Sequence, residues 1–357
     1  MPETYQQTIA MLIASTPFEI DSEIRMQGRP PSTASSEFLT NKEQGDWAER
    51  IVDAAINENS PAFFAAAYGR ADPLAAGDDG FPDFFLQYQG ELNHVGKKPD
   101  LLIFRRADYP EITMIDFADD DIVRSAVAAI EVRSSSFLAN KYPAYMISRS
   151  SIATAECGRL REIILKEPLR GALQQKSPEI FHLIEGATEN TFRELDFRLG
   201  TWSSSSVLRE LSDRLRELKE QSKILHKRDY LSITPKLEDL ALVNRWIQHF
   251  GVRHYYLQVF LDKAYVISFK EILEICSDST KEDVVFSVER DVKNQGKATI
   301  KINVQVGREI LGRIDMPQHV ATLKELDRGR LPFYVTFLGG RGYLDPAVFS
   351  QEIINDV

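Results

Sequence analysis

Two short apolar runs in the first half of the chain most constrain its fold. Residues 101–104 read LLIF and follow turn-forming residues, while residues 127–133 read VAAIEVR and are charged only at Glu131 and Arg133. An apolar run of this length between turn residues is typical of a strand buried in a sheet. The two runs therefore predict two buried strands, and most other predictions for the chain depend on them.

The composition is that of an ordinary globular protein. The 357 residues are 43% hydrophobic and 27% charged, with two cysteines and a formal net charge of −10, which excludes a disordered chain, a collagen-like repeat and a disulfide scaffold. No apolar run approaches the roughly 20 residues that span a bilayer, and the N-terminus lacks the basic region of a signal peptide. A cytoplasmic location without membrane contact is expected. The acidic balance argues against non-specific coating of nucleic acid.

The charge is unevenly distributed along the chain. Residues 71–121 carry a net charge of −8, and residues 124–176 carry a net charge of +5. An acidic segment followed by a basic one is what a site for a metal ion and a phosphate would need. Ordinary variation of surface charge explains the pattern equally well, so the asymmetry alone assigns no function.

Helix signals lie on both sides of the two apolar runs. Thr40 and Glu43 have the spacing of a capping box and predict a helix from there to about residue 57. Residues 150–229 look mostly helical, because leucines recur at helical spacing between residues 207 and 227 while the opposite face is charged. That stripe predicts a helix packed on one face and solvated on the other.

The second half of the chain begins with a strand, a helix and a strand. Thr234 is the expected N-cap of the helix, and Gly251 is the expected residue just after its end. Strands predicted at residues 230–234 and 254–262 would complete a βαβ unit. Further strands are predicted at residues 112–115, 283–289, 298–306 and 332–338, with a hairpin turn at residues 294–296.

The two buried strands carry residues that suit phosphate chemistry. Asp100 immediately precedes the first strand, and Glu131 and Arg133 point to the same face of the second because side chains alternate with period two. Two carboxylates and a cation on adjacent strands can hold Mg²⁺ against a phosphate, since hard cations prefer carboxylate oxygen. By spacing alone, a turn cap at Asp100 and a solvated strand edge at Glu131 fit as well. Residues 82–83 form a competing Pro-Asp pair without matching strands.

The order of these motifs resembles the PD-(D/E)XK nuclease superfamily, and within it the AccI type of type II restriction endonuclease. The resemblance is carried by residues 40–49 (TNKEQGDWAE), 98–104 (KPDLLIF), 129–137 (AIEVRSSSF) and 232–269. It covers roughly residues 40–270. It implies an α/β, restriction-endonuclease-like core, in which helices flank a mixed central sheet, with helical N-terminal and inserted segments and a β-rich C-terminal part.

The same resemblance implies a division of the chain. Residues 1–95 would form a mainly helical segment packed on the core. Residues 96–270 would form the nuclease core, with a helical insertion at about residues 150–229. Residues 271–357 would add a β-rich segment to the same domain.

The resemblance assigns a metal site to the two strands. Asp100 and Glu131 would bind Mg²⁺, with the backbone carbonyl of Val132 as a further ligand. Glu49 lies on the predicted N-terminal helix, where the superfamily often carries an acidic residue near the metal. It is a candidate for a second carboxylate there, and a solvated helix residue is the equally good alternative.

Arg133 stands where the superfamily usually has lysine. An arginine stays charged and cannot act as a general base, but it can orient a hydroxide and stabilise the charge of a phosphate. A lysine from elsewhere is the alternative. Lys141 is near in sequence and Lys236 begins the later helix, so the order of preference is Arg133, Lys141 and then Lys236.

The implied activity is Mg²⁺-dependent hydrolysis of double-stranded DNA at a short specific site, leaving 5′-phosphate ends. A homodimer is expected because a two-fold axis matches a palindromic site, and the host would need a matching DNA methyltransferase. Candidate contacts to phosphates or bases follow the second strand: Ser134, Ser135, Ser136, Asn140, Lys141, Tyr142 and Arg149.

Two other functions remain open at this level. A DNA-binding protein with a degenerate, inactive nuclease core is compatible with arginine in place of the usual lysine. A repair-type nuclease that acts on DNA ends or structures would use the same site. Fold-level resemblance does not decide among them.

Overall fold

A computed structural model of the chain describes residues 4–21, 23–69, 74–226, 228–291, 297–326 and 329–354. Contacts divide the chain into two compact units. We call Met1–Ala139 with Leu231–Val357 the sheet unit, and Asn140–Tyr230 the helical unit.

The described part of the sheet unit contains twelve strands. They are β1 (Phe63–Ala67), β2 (Leu101–Arg105), β3 (Ala128–Ser134), β4 (Ser232–Ile233), β5 (His254–Val259), β6 (Ala264–Ser268), β7 (Phe286–Asp291), β8 (Lys297–Asn303), β9 (Arg308–Asp315), β10 (Gln318–Leu323), β11 (Phe333–Leu338) and β12 (Arg341–Leu344). Seven of these form one sheet in the order β1-β2-β3-β5-β6-β9-β12. Neighbours in that sheet run antiparallel except β3 and β5, which are parallel. The predicted mixed sheet is therefore confirmed.

The residues that the structure describes form eleven α-helices. They are α1 (Tyr5–Ser15), α2 (Ser36–Asn59), α3 (Phe81–His94), α4 (Asp120–Arg124), α5 (Tyr142–Ile164), α6 (Leu169–Lys176), α7 (Pro178–Gly186), α8 (Ser206–His226), α9 (Leu237–Phe250), α10 (Phe269–Ser277) and α11 (Pro346–Phe349). The helical unit contains α5 to α8, as residues 150–229 predicted, with the leucine stripe of α8 buried in its core. Within the described ranges, no helix combines the length and the apolar character that a bilayer crossing requires.

The two apolar runs form the centre of the large sheet. Strands β2 and β3 are antiparallel neighbours, with Leu101 opposite Ile130. Ile130 and Val132 face α2 and pack in one core with its Trp47, and burial of side chains of this size contributes roughly 1.5–3 kcal/mol each. The alternation along β3 then directs Glu131 to the opposite face, on the side of α9.

The predicted capping box at Thr40 and Glu43 is wrong, because α2 begins one turn earlier. Ser35 is the N-cap, and its hydroxyl accepts a hydrogen bond from the backbone N–H of Phe38. The Thr40 hydroxyl lies inside the helix and accepts from the N–H of Val335 at 3.2 Å. A tertiary contact therefore uses the side chain that looked like a local cap.

The predicted βαβ unit is also wrong. Strand β4 pairs with β8 in a separate sheet of order β4-β8-β7, whereas β5 pairs in parallel with β3. The Thr234 hydroxyl bonds to the side chain of Gln258, and Lys236 occupies the cap position. Gly251 ends α9 at a φ of 77°, with its N–H donating to the carbonyl of Ile247, as predicted.

Strand predictions elsewhere had mixed outcomes. Residues 112–115 do not form a strand, because Ile112–Met114 is a single 3₁₀ turn. The predictions at 283–289, 298–306 and 332–338 correspond to β7, β8 and β11, and β7 pairs with β8 as an antiparallel hairpin would. The proposed turn at 294–296 lies outside the described residues.

A buried histidine opens β5. The ring of His254 lies among Trp246, Tyr256 and Phe269, with ring centroids 5.6–6.0 Å away. Neither ring nitrogen has a hydrogen-bond partner among the described groups. Burial disfavours the charged imidazolium and lowers the pKa of His254 to about 4 from 6.5. The imidazole is therefore neutral in the folded protein at neutral pH.

Acid is expected to destabilise the fold through His254. As the pH falls below 6.5, the unfolded chain binds this proton before the folded chain does, so stability present above pH 6.5 is lost towards pH 4. The pKa difference of His254 between the folded and the unfolded chain corresponds to a loss of about 3 kcal/mol in the free energy of unfolding at most. Urea unfolding of the wild type and of His254→Phe at pH 7.5 and 4.5 measures it. The variant should gain stability relative to the wild type at the lower pH, and an equal difference at both pH values would contradict the expectation.

Candidate active site

The sheet brings four of the predicted site residues together. Asp100 directly precedes β2, and Glu131, Val132 and Arg133 lie on the neighbouring strand β3. A carboxylate oxygen of Asp100 accepts a hydrogen bond from the backbone N–H of Val132 at 2.6 Å. This bond holds the end of one strand against the middle of the other and places Asp100 beside Glu131.

Glu131 belongs to a closed set of alternating charges, which we call the ion ring: Lys97, Glu131, Arg133 and Asp239. Oε1 of Glu131 lies 2.5 Å from Nζ of Lys97 and 3.0 Å from Nη2 of Arg133. Oδ2 of Asp239 lies 2.8 Å from the same Nζ and 2.7 Å from the same Nη2. Exposure of these side chains ranges from 2% for Glu131 to 20% for Arg133. Each buried charge thus has two partners of opposite sign, which offsets the loss of hydration.

Lys97 and Asp239 were not predicted from the sequence. Lys97 follows Gly96, whose φ is +95°, and its backbone N–H donates to the carbonyl of Leu242 in α9 at 3.0 Å. Asp239 lies in the first turn of α9, where an acidic residue also suits the helix dipole. The closeness of Lys97 to the Pro-Asp pair was an available signal. The sequence offered none for Asp239, which is 142 residues from Lys97.

The carboxylates of the site repel one another. Burial, together with the charges of Glu131 and Glu49, raises the pKa of Asp100 well above its usual range. Burial, with Asp46 and Glu131 adding to it, raises the pKa of Glu49 to about 7. Burial also works against ionisation of Glu131, but Lys97 and Arg133 outweigh it and hold that pKa below its ordinary value. Burial and mutual repulsion therefore disfavour the charged forms of Asp100 and Glu49, and the two cations favour the charged form of Glu131.

The residues present fit a hard divalent cation. Oε2 of Glu131 is buried and has no hydrogen-bond partner among the described groups, although Oε1 is held by two cations. Asp100 and Glu49 line the same cavity of about 540 Å³. Carboxylate oxygens are the ligands that Mg²⁺ and similar ions prefer. No cluster of three His, Cys, Asp or Glu side chains suited to a metal occurs in the described ranges, so a site here would combine carboxylates with a backbone carbonyl.

The other predicted residues lie in two places. In the sheet unit, Ser134 ends β3, the N–H of Ser135 donates to the carbonyl of Val259 at 2.9 Å, and Ser136 is exposed. In the helical unit, the candidates lie at or near the start of α5: Asn140, Lys141, Tyr142 and Arg149.

The two lysines proposed as substitutes for Arg133 occupy helix starts. Lys141 is the N-cap residue of α5 in the helical unit. Lys236 is the N-cap residue of α9, with an exposed side chain and a backbone bridge to Thr299. Among the described ion pairs, the lysine that contacts Glu131 is Lys97.

Comparison of the chain with known protein families gives a match that extends beyond this site. A family model described as AccI restriction endonuclease matches residues 3–355, which is nearly the whole chain. No curated protein and no solved structure matches the chain. The match includes both strands of the candidate site, the helix α9 and the whole helical unit.

Proposed function

The chain belongs to the AccI restriction endonuclease family and is a type II site-specific deoxyribonuclease, and from this premise we propose that it cuts double-stranded DNA at a short site with Mg²⁺, leaving 5′-phosphate ends. The observation that carries the proposal is the oxygen Oε2 of Glu131, buried without a hydrogen-bond partner among the described residues. It lies beside Asp100 in the sheet, and a polar atom left in this state is unfavourable unless a ligand binds it.

We assign the metal to Asp100, Glu131 and the carbonyl oxygen of Val132, with Glu49, which lines a cavity together with Asp100, as a further carboxylate. Such a metal, when bound, lowers the pKa of a coordinated water and offsets negative charge on the phosphate. The chain prepares the site in two ways. The N–H of Val132 fixes Asp100, and the contacts of Oε1 with Lys97 and Arg133 fix the carboxylate plane of Glu131.

The proposed reaction is a phosphodiester hydrolysis. The oxygen of a water molecule forms the new bond to phosphorus, the bond from phosphorus to the 3′ oxygen breaks, and a proton ends on that oxygen. The products are a 3′-hydroxyl and a 5′-phosphate. Arg133 stabilises negative charge near the phosphate and takes no proton, because its guanidinium stays charged. Asp100 and Glu131 lie at adjacent central strands, and Arg133 follows Glu131 by two residues. This arrangement supports placement of the chain in the PD-(D/E)XK superfamily.

The DNA contacts are proposed for two segments. Ser134, Ser135 and Ser136 follow the site strand, and α5 begins with fourteen residues, 142–155, that include no Asp or Glu. A helix without acidic residues can approach the phosphate backbone without repulsion. The candidates there are Asn140, Lys141, Tyr142 and Arg149. We further propose a homodimer on a palindromic site, with a matching DNA methyltransferase in the host.

The proposal is tested by incubating the purified protein with unmodified phage DNA and with closed circular plasmid, in Mg²⁺ and in EDTA. Sharp bands in Mg²⁺ alone, with ends that DNA ligase joins directly, are expected. A smear, or attack on linear DNA only, would favour a repair-type nuclease. Several unmodified genomes left intact, while the protein still binds DNA, would favour an inactive core.

A further inference from the structure

Lys97 has the contacts of an active-site residue. Its Nζ bonds to one oxygen of Glu131 and one of Asp239, and its side chain is 16% exposed. An ammonium group has three N–H donors, so two are directed to described partners and one is left over. Lys97 also lines the cavity of about 540 Å³ together with Asp100 and Glu49.

The backbone around Lys97 is held from two sides. On one side its N–H donates to the carbonyl of Leu242 in α9 at 3.0 Å. On the other side, the N–H of Tyr68, just after β1, donates to the carbonyl of Asp100 at 2.9 Å. The four residues from Lys97 to Asp100 therefore form a fixed connection between a metal-site carboxylate and a buried lysine, which suits a group that must be placed accurately.

Arg133 carries the second positive charge of the ion ring. Its Nη2 is shared between Glu131 and Asp239, and its Nε is buried without a hydrogen-bond partner among the described groups. Of the two cations that pair with Glu131 in the described structure, Lys97 is the one that lines the cavity with Asp100. The ammonium of Lys97 is therefore the cation of the ion ring that borders this cavity.

We propose that Lys97 is a catalytic residue that donates to the scissile phosphate, and that it replaces from before β2 the lysine that β3 lacks at Arg133. This rests on the proposed function. The ammonium would bond to a non-bridging oxygen of the phosphate with its remaining donor while Glu131 and Asp239 hold the other two. Its charge then stabilises the negative charge that develops at phosphorus. Lys141 and Lys236 are not needed for this role.

The test uses three variants in single-turnover cleavage with Mg²⁺ and in DNA binding with Ca²⁺. Lys97→Met removes the charge. Lys97→Arg keeps a charge beside Glu131, so it protects the fold if the Met variant unfolds. The double variant Lys97→Met with Arg133→Lys returns a lysine to β3. Lys263→Met is the matched control, since that side chain is 20% exposed and pairs with Glu309 at 2.7 Å.

The rate of cleavage by Lys97→Met should fall by about 10²-fold or more, while DNA binding in Ca²⁺ is retained. Lys97→Arg should remain folded but cut slowly, because the planar guanidinium differs in shape from an ammonium group. The double variant should cut at least about tenfold faster than Lys97→Met. Lys263→Met should cut at the wild-type rate. Wild-type rates for both single variants at Lys97 would overturn the proposal. So would loss of DNA binding in step with loss of cleavage, or absence of recovery in the double variant. A wild type that cuts no DNA would instead overturn the proposed function.

Discussion

Asp100→Asn and Glu131→Gln are each expected to reduce the rate of DNA cleavage by about 10³-fold or more. Each amide keeps the shape of the side chain and removes the charge that a divalent metal requires, and loss of several kcal/mol of charge stabilisation corresponds to a factor of this size. The measurement is single-turnover cleavage of a DNA that the wild type cuts, at saturating Mg²⁺. Asp78→Asn is the matched control, because it removes a carboxylate that is 15% exposed and paired with Lys324.

Loss of activity in Asp100→Asn should come without loss of stability. The raised pKa of Asp100 means that its charged form is unfavourable in the metal-free fold, and an amide oxygen can still accept from the N–H of Val132. In EDTA, the variant should therefore unfold at the same temperature as the wild type or at a higher one. Cleavage within about tenfold of the wild-type rate by either the Asp100 or the Glu131 variant would contradict the assignment of the metal site.

Gly96→Ala is expected to destabilise the sheet unit strongly and to abolish cleavage with it. The φ of Gly96 is +95°, a conformation that costs other residues roughly 1–3 kcal/mol. A Cβ there would also lie 2.3 Å from the carbonyl oxygen of Leu242 and 2.7 Å from the backbone nitrogen of Trp246. Both obstacles are backbone atoms of α9, so no side-chain rotation relieves the overlap. The turn that positions Lys97 would have to move.

Urea unfolding of Gly96→Ala beside Gly90→Ala separates this effect from the general cost of losing a glycine. Gly90 lies within α3, and a Cβ there would meet nothing within 4 Å, so alanine should stabilise that helix by about 0.5–1 kcal/mol. Equal unfolding midpoints for Gly96→Ala and the wild type would show that the turn before Lys97 tolerates a side chain. The positive φ and the close backbone atoms of α9 would then not require glycine at this position.

Local patterns in the sequence predicted the centre of the sheet because the relevant information is local there. Residues 101–104 and 127–130 are apolar on both sides, as a central strand covered by helices requires, and the two strands were predicted to within a residue or two. Strand β1 was missed, since its small residues in FFAAA have no alternation. Residues 112–115 were misassigned because their apolar side chains lie in a 3₁₀ turn and at its end, where no described strand pairs with them.

The candidate site was predicted in part for the same reason. Asp100, Glu131 and Arg133 are marked by their place on or beside strands, and their mutual geometry follows from strand pairing. Asp239 reaches the site only because α9 packs beside it. The spacing of apolar residues predicts the helix but does not reveal where the helix packs. Thr234 and Thr40 show the reverse case, since both looked like helix caps and instead bond to groups brought near by the tertiary fold.

The parallel pairing of β3 with β5 has a consequence for synthesis on the ribosome. Between Ser134 and His254 the chain makes the whole helical unit and then α9, and at about 5–20 residues per second this takes roughly 6–24 s. Until α9 is made, the nascent chain carries Asp100 just before β2 and Glu131 on β3, without the neighbouring strand β5 and without Asp239. A translation product that stops early therefore has the chemistry-bearing residues but no assembled site, and a cell that makes this nuclease meets its activity only when most of the chain is complete.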